Sequence, residues 1–276
     1  MDNYSYKIID GVKCYNPESA VDNTYYPAEA FDTLYRLEQS NFWFKARNRL
    51  ILHLFNRYID KKNKLSTLEI GCGTGFVLKE LQKIQSLKLY GAEILLSGLK
   101  LAAQRVPDAE FIQLDATNMQ FVSEFDIICT FDVLEHIEED EKAISNIYKA
   151  LKGKGLFFIT VPQHRFLWAE IDELSNHKRR YGKSELCEKL RKAGFGILYN
   201  TSFVFSLFPV MVLSRMLNRR SKSGKNEKKS DLFREFKIPL IVNRIFGVFM
   251  FADELLIKSG IRLPFGGSLF VIALKK

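Results

Sequence analysis

The stretch Leu68-Glu69-Ile70-Gly71-Cys72-Gly73-Thr74-Gly75 decides the fold. Leu65–Ile70 reads as a buried strand; glycine then stands at every second position, and a helical pattern follows. Glycine admits a left-handed backbone and lets a ligand come close to the main chain. The helix start beyond it offers unpaired N–H groups and the positive end of a dipole, which suits a carboxylate or a phosphate. The spacing G-x-G-x-G differs from the dinucleotide fingerprint G-x-G-x-x-G, because Phe76 occupies the last position, and there is no Gly-Lys-Ser/Thr of a phosphate loop.

Strand-like and helix-like segments alternate outward from this turn. A helical pattern over Asn41–Ile59 precedes it, with Phe44, Leu50, Ile51, Leu54, Phe55 and Tyr58 at three- and four-residue steps. Six further strands are predicted, over Leu87–Ala92, Glu110–Leu114, Phe125–Thr130, Leu156–Val161, Phe195–Phe203 and Ser268–Leu274. Helices are expected over Leu96–Arg105, Glu139–Leu151 and Ser184–Ala193, with a turn at Lys152–Gly155. Such alternation specifies an α/β, Rossmann-like, doubly wound seven-stranded sheet, whose ligands sit beyond the carboxyl ends of the strands.

Three acids mark that edge. Glu93 ends the second strand and can accept two hydrogen bonds from a ribose diol. Asp115 ends the third and can accept from an exocyclic adenine amine, while Glu69 on the first can face an ammonium group.

These residues resemble class I S-adenosylmethionine-dependent methyltransferases. The resemblance covers roughly Asn41–Phe203 plus the last strand, and includes Phe131-Asp132-Val133-Leu134-Glu135-His136-Ile137 and Leu151-Lys152-Gly153-Lys154-Gly155. It implies the sheet order 3-2-1-4-5-7-6 with the last strand antiparallel, and S-adenosylmethionine as cofactor. By the resemblance the glycine loop (Gly71, Cys72, Gly73, Gly75) holds the methionine moiety, Glu93 with Ile94 the ribose, and Asp115 with Ala116 the adenine; Glu69 and Phe131 complete the cofactor set. The entry helix Asn41–Leu50 resembles a segment in relatives of the quinone-biosynthesis O-methyltransferases. There an Arg can pair with the methionine carboxylate, and Arg47 is taken over Arg49; Trp43 and Phe44 are read as core packing.

The chain of 276 residues carries a net charge of +9, unevenly spread. Thr201–Gly267 holds 12 Lys/Arg against 5 Asp/Glu, or +7, and the remaining residues hold 29 against 27, or +2. The 64 residues between the last two strands form an insert that coincides with this basic segment. The organisation expected is a lead-in over 1–40, irregular with short helices, a cofactor-binding domain over 41–203 plus 268–276, and a basic, apolar helical insert over 204–267. In the insert the apolar runs Phe203–Leu213 and Ile238–Ile257 flank the basic run Arg219–Lys229. The first is too short for a spanning helix and the second is broken by charges, so docking on an anionic membrane surface or a lipid-linked substrate is expected. The basic run has no interleaved aromatics, which disfavours nucleic acid.

The four cysteines are scattered, without a C-x-x-C pair, and the N-terminal MDNYSYKIID has no apolar signal core. A cytoplasmic protein, peripheral at the inner face of a membrane, is expected. For chemistry, His136 directly follows the fourth strand and is the first candidate general base, with His177 the second. A metal between Glu135 and His136 would rest on two adjacent ligands, and none is assigned. The cluster His177-Lys178-Arg179-Arg180-Tyr181 could bind a substrate anion. No Asn/Asp-Pro-Pro-Tyr/Phe motif follows the fourth strand, so oxygen or carbon methylation of a small-molecule or lipid-linked acceptor is expected, with a nucleic-acid methyltransferase or a non-catalytic cofactor-binding subunit as alternatives.

Overall fold

The computed structural model describes residues 4–19, 28–221 and 236–276. Its elements in chain order are β1 (Lys7–Ile9), β2 (Val12–Cys14), α1 (Ala28–Leu37), α2 (Phe42–Tyr58), β3 (Leu65–Ile70), α3 (Phe76–Leu81), β4 (Leu87–Glu93), α4 (Leu96–Arg105), β5 (Glu110–Gln113) and β6 (Phe125–Phe131). There follow α5 (Asp140–Ala150), β7 (Leu151–Pro162), α6 (Glu170–Leu174), α7 (Lys183–Lys192), β8 (Phe195–Phe203), α8 (Phe208–Ser221), α9 (Leu240–Lys258) and β9 (Ser268–Lys275).

One sheet runs in the order β1-β2-β5-β4-β3-β6-β7-β9-β8. Counted from β3, its last seven strands follow the expected order 3-2-1-4-5-7-6. β9 lies antiparallel between β7 and β8. The sheet has nine strands rather than seven, because the lead-in is not irregular. β1 and β2 form a hairpin, and β2 pairs parallel with β5 through Lys13↔Ile112 and Cys14↔Gln113. Three-residue strands carry too little periodicity to register in a sequence.

Both faces of the sheet are covered, which is why its strands read as continuous apolar runs. Successive residues of a strand point to opposite faces. Phe158 stacks on Phe55 of α2 with centroids 4.2 Å apart, whereas Phe157 meets Phe195 at 5.6 Å in the other core. The turn expected at Lys152–Gly155 lies inside β7 instead. It is absorbed as a bulge against β6, with the register shifting between Phe125 and Ile127 and Lys154 at φ 65°.

Asn41 caps α2 by accepting from the Trp43 N–H at 2.9 Å, and its own amide donates to the Phe236 carbonyl at 3.0 Å. The Phe42 N–H donates to Asn243 Oδ1 at 2.8 Å, so the entry helix is fastened to α9. The insert helices are fastened to each other by Asp253, which accepts from the Phe205 N–H at 2.6 Å and the Ser206 hydroxyl at 2.6 Å just before α8. The basic run Arg219–Lys229 begins in α8's last turn and, from residue 222, lies outside the described residues.

Candidate functional site

A cavity of about 870 Å³ opens at the carboxyl ends of β3, β4, β5 and β6. The glycine loop forms its floor. Gly71 and Gly73 have φ of 70° and 51°. At Gly71 a Cβ would stand 2.4 Å from Val133 Cγ2, so only glycine fits between the loop and the segment after β6. Gly75, at φ 73°, does not line the cavity. Its N–H donates to the Cys72 carbonyl at 2.8 Å, and a Cβ there would meet Ala102 of α4 at 3.1 Å. This glycine serves helix packing. Cys72 contributes backbone: its N–H donates to the Ala92 carbonyl at 2.9 Å, and burial pushes its thiol pKa well up.

The three acids converge here. Glu93 lies across the loop, accepting from the N–H groups of Gly73 at 3.1 Å and Ile94 at 2.8 Å. Burial raises its pKa, against those hydrogen bonds. Asp115 accepts from the N–H and hydroxyl of Thr117, both at 2.8 Å, which fixes its carboxylate beside Ala116 and Ile94 on the cavity wall. Glu69 is only 2% exposed and its Oε2 has no partner. Burial lifts its pKa to about 8, opposed by Arg47 and reinforced by Glu38 and Glu93.

Arg47 reaches the cavity from α2. Its Nη1 donates to Asp132 at 2.5 Å, its plane sits over the Trp43 ring at 4.8 Å, and its buried Nε has no partner. Arg49 faces the opposite way and grips Glu254 of α9 with two nitrogens, at 2.9 and 2.5 Å. Trp43 and Phe44 pack as read, and also line the cavity with Phe131. An unpartnered acid oxygen and an unpartnered guanidinium nitrogen, beside left-handed glycines and two strand-end acids, fit a ligand with ammonium, carboxylate and nucleoside parts.

Past β6 the same cavity is lined by Glu135, His136 and His177. The two loops meet because the Lys178 N–H donates to the Glu135 carbonyl at 2.7 Å. The histidine rings stand edge to face with centroids 4.6 Å apart. His177 Nδ1 is 2.7 Å from Asp172 Oδ1, to which Arg180 Nε also donates at 2.8 Å. Asp172 and Glu135 are both 0% exposed, and neither oxygen of Glu135 has a partner among the described residues. Burial, with His177 alongside, depresses the His136 pKa to about 3, so this imidazole stays neutral and is a weak proton acceptor.

The remaining cluster is consumed by structure rather than held for an anion. Tyr181 is wholly buried and donates to Asp140 at 2.7 Å, and Arg179 pairs with Asp140 at 2.8 Å. Asn16 was not legible as a site neighbour. It accepts from the Asp115 N–H at 2.8 Å, while its own N–H donates to Gln113 Oε1 at 3.1 Å. Nor were Asp172 and Glu38, whose partners are distant in sequence.

A methyltransferase domain family matches residues 68–159. Over 185 residues the chain is 22% identical to a protein named probable S-adenosylmethionine-dependent methyltransferase from Mycolicibacterium smegmatis, covering 66% of this chain and 70% of that one. It is 21% identical to the mitochondrial ubiquinone biosynthesis O-methyltransferase of Dictyostelium discoideum over 137 residues, 42% of this chain and 43% of that protein. Among solved structures, Haemonchus contortus phosphoethanolamine N-methyltransferase 2 with S-adenosyl-L-methionine superposes at a TM-score of 0.60 and 19% identity, over 92% of this chain and 59% of that one.

Proposed function

We propose what this chain, a class I S-adenosylmethionine-dependent methyltransferase, methylates: an oxygen or carbon atom of an apolar, lipid-linked acceptor. The observation that carries the reading is the apolar wall that the insert gives the cavity. There the turn before α8 supplies Leu207, α8 supplies Val210 and Met211, and α9 supplies Phe246, to the same cavity that holds Glu69, Glu93 and Asp115. Apolar walls with a few convergent polar groups are what a sizeable organic ligand needs.

When bound, S-adenosylmethionine supplies an electrophilic methyl group; the chain supplies binding, orientation and a dry site. Glu93 accepts from the ribose hydroxyls and Asp115 faces the adenine amine. Glu69 and Arg47 take the ammonium and carboxylate of the methionine part. The acceptor's nucleophilic atom is directed at the Glu135, His136 and His177 end, where a proton can be handled. Of the two histidines, His177 has its ring oriented by Asp172, whereas burial makes His136 a weak proton acceptor.

The insert favours acceptors delivered from a bilayer. No helix among the described residues is long and apolar enough to cross a membrane. Yet Leu213, Leu217, Ile241, Ile245, Val248 and Leu255 are each about half exposed or more. The run between the two helices, Arg219–Lys229, carries six basic residues and one acid, suiting an anionic surface.

The test is transfer of labelled methyl from S-adenosylmethionine into a total lipid extract, RNA or phosphoethanolamine, with product analysis. Label in a lipid ether, ester or C-methyl product supports the reading. Label confined to RNA or to an amine overturns it.

A further inference from the structure

We propose that Glu135, His136 and His177 form a binding site for a divalent metal ion of the zinc class, at the acceptor end of the cavity. The ligand atoms of the three side chains lie within 4.8 Å of one another. Two imidazoles and one carboxylate make the donor set of a catalytic-type site, with three protein ligands and a position left open. Metal bonds of ~2.0–2.2 Å require the three atoms to close in from that spacing.

Three features prepare these groups as ligands. Both oxygens of Glu135 are buried without a partner, although the residue is 0% exposed. A carboxyl group so placed needs a cation or donors that the described residues do not provide. His177 gives its Nδ1 to Asp172, which Arg180 locks in turn, so Nε2 is the nitrogen left for a ligand. His136 packs against His177, with the ring centroids 4.6 Å apart. Imidazoles that ligate metals are commonly held as His177 is, through the other ring nitrogen, by a carboxylate or a carbonyl.

The cluster is assembled by the fold rather than by a motif. Glu135 and His136 follow β6, and His177 follows α6, at 41 residues' remove from His136. Asp132, the other acid of the first loop, is engaged by Arg47 and is not part of the set. A cation here would face the open cavity, where it could lower the proton affinity of an acceptor hydroxyl. That consequence rests on the acceptor reading given above; the binding site itself does not.

The experiment uses the full chain, stripped with chelator and dialysed. Zn²⁺ binding is followed by calorimetry, and Co²⁺ binding by its visible d–d absorption. One equivalent of either ion is expected. Glu135→Gln and His177→Ala should each weaken Zn²⁺ binding at least tenfold, and Asp172→Asn by ~10–100-fold through loss of His177 orientation. Affinity for S-adenosylhomocysteine, measured on every variant, should stay within about threefold and certifies that each variant is folded. Wild-type protein that binds no Zn²⁺, or binds it equally well as His177→Ala, overturns the proposal. A protein that binds Zn²⁺ through these side chains but methylates no lipid keeps this site and overturns only the acceptor reading.

Discussion

Glu69 is a carboxyl group held at about pKa 8 by burial, with Arg47 opposing and Glu38 and Glu93 adding repulsion. An acid raised in the folded state has its stabilising contribution fully present below its unfolded value, and loses it as pH rises through 8. Raising the pH from 5 to 8.5 should therefore destabilise the ligand-free protein, and Glu69→Gln should relieve this by on the order of 1–3 kcal/mol at pH 8.5, read from urea denaturation. A cationic ammonium favours the ionised carboxylate, so ligand binding at pH 7 should release a proton; calorimetry in buffers of differing ionisation enthalpy reads that release. Gly71 offers a sharper steric test. Alanine there meets both a left-handed φ of 70° and Val133 at 2.4 Å, whereas at Gly73 a Cβ meets nothing within 4 Å. Gly73→Ala should cost ~1–2 kcal/mol, the backbone penalty alone. Gly71→Ala should cost clearly more, and Val133→Ala should restore part of the difference.

At the scale of elements, the cofactor loop is steadied by segments that sequence reading placed outside the domain. Just past α1, Glu38 accepts from the Thr74 hydroxyl at 2.5 Å and from Arg105 at 2.7 Å, and Arg105 also donates to the Tyr35 carbonyl at 3.0 Å. Both charges are nearly inaccessible, 2% and 6% exposed at the side chains of Arg105 and Glu38. Removing one member strands the other, so Arg105→Leu should destabilise the fold by about 3–5 kcal/mol, and adding Glu38→Gln should recover much of that loss. The β1–β2 hairpin acts on the adenine end through Asn16. Asn16→Ala removes the acceptor of the Asp115 N–H, and should cost ~1–3 kcal/mol of stability while weakening cofactor binding. A variant with unchanged melting temperature and cofactor affinity would show that the hairpin is only an edge cover.

The whole molecule presents one helix turned inside out. On α9, Asp253 and Glu254 are each 2% exposed, while Ile241, Val248 and Leu255 are 73%, 69% and 51% exposed. The acids are used inward, Asp253 at the start of α8 and Glu254 on Arg49, and the apolar stripe is left outward beside the cavity. A face of that composition suits an apolar neighbour. Replacing Ile241, Val248 and Leu255 together with Glu should leave cofactor affinity unchanged and abolish sedimentation with anionic vesicles. Binding of wild-type protein to those vesicles should fade with added salt. A wild-type protein that stays in the supernatant, and dimerises at micromolar concentration, would assign the face to a second copy. The four cysteines are all buried and free, so reducing agent should not move the melting temperature.

The glycine loop and the strand-end acids were legible in the sequence because each depends on neighbours close along the chain, whereas the sheet order came only with the family resemblance. A buried strand needs an apolar run, a tight turn needs glycine, and an acid at a strand end is placed by the strand itself. Arg47 and His136 could be named as candidates on the same ground, but their state could not. Only the tertiary structure decided that Gly75 packs against α4, that Arg49 turns to Glu254, and that His136 loses its basicity to burial. It alone brought His177 to Glu135 and His136, and Asn16 to Asp115. Those pairings join residues 41 and 99 positions apart, and burial and partner choice at such separations are fixed by packing, which no local pattern encodes.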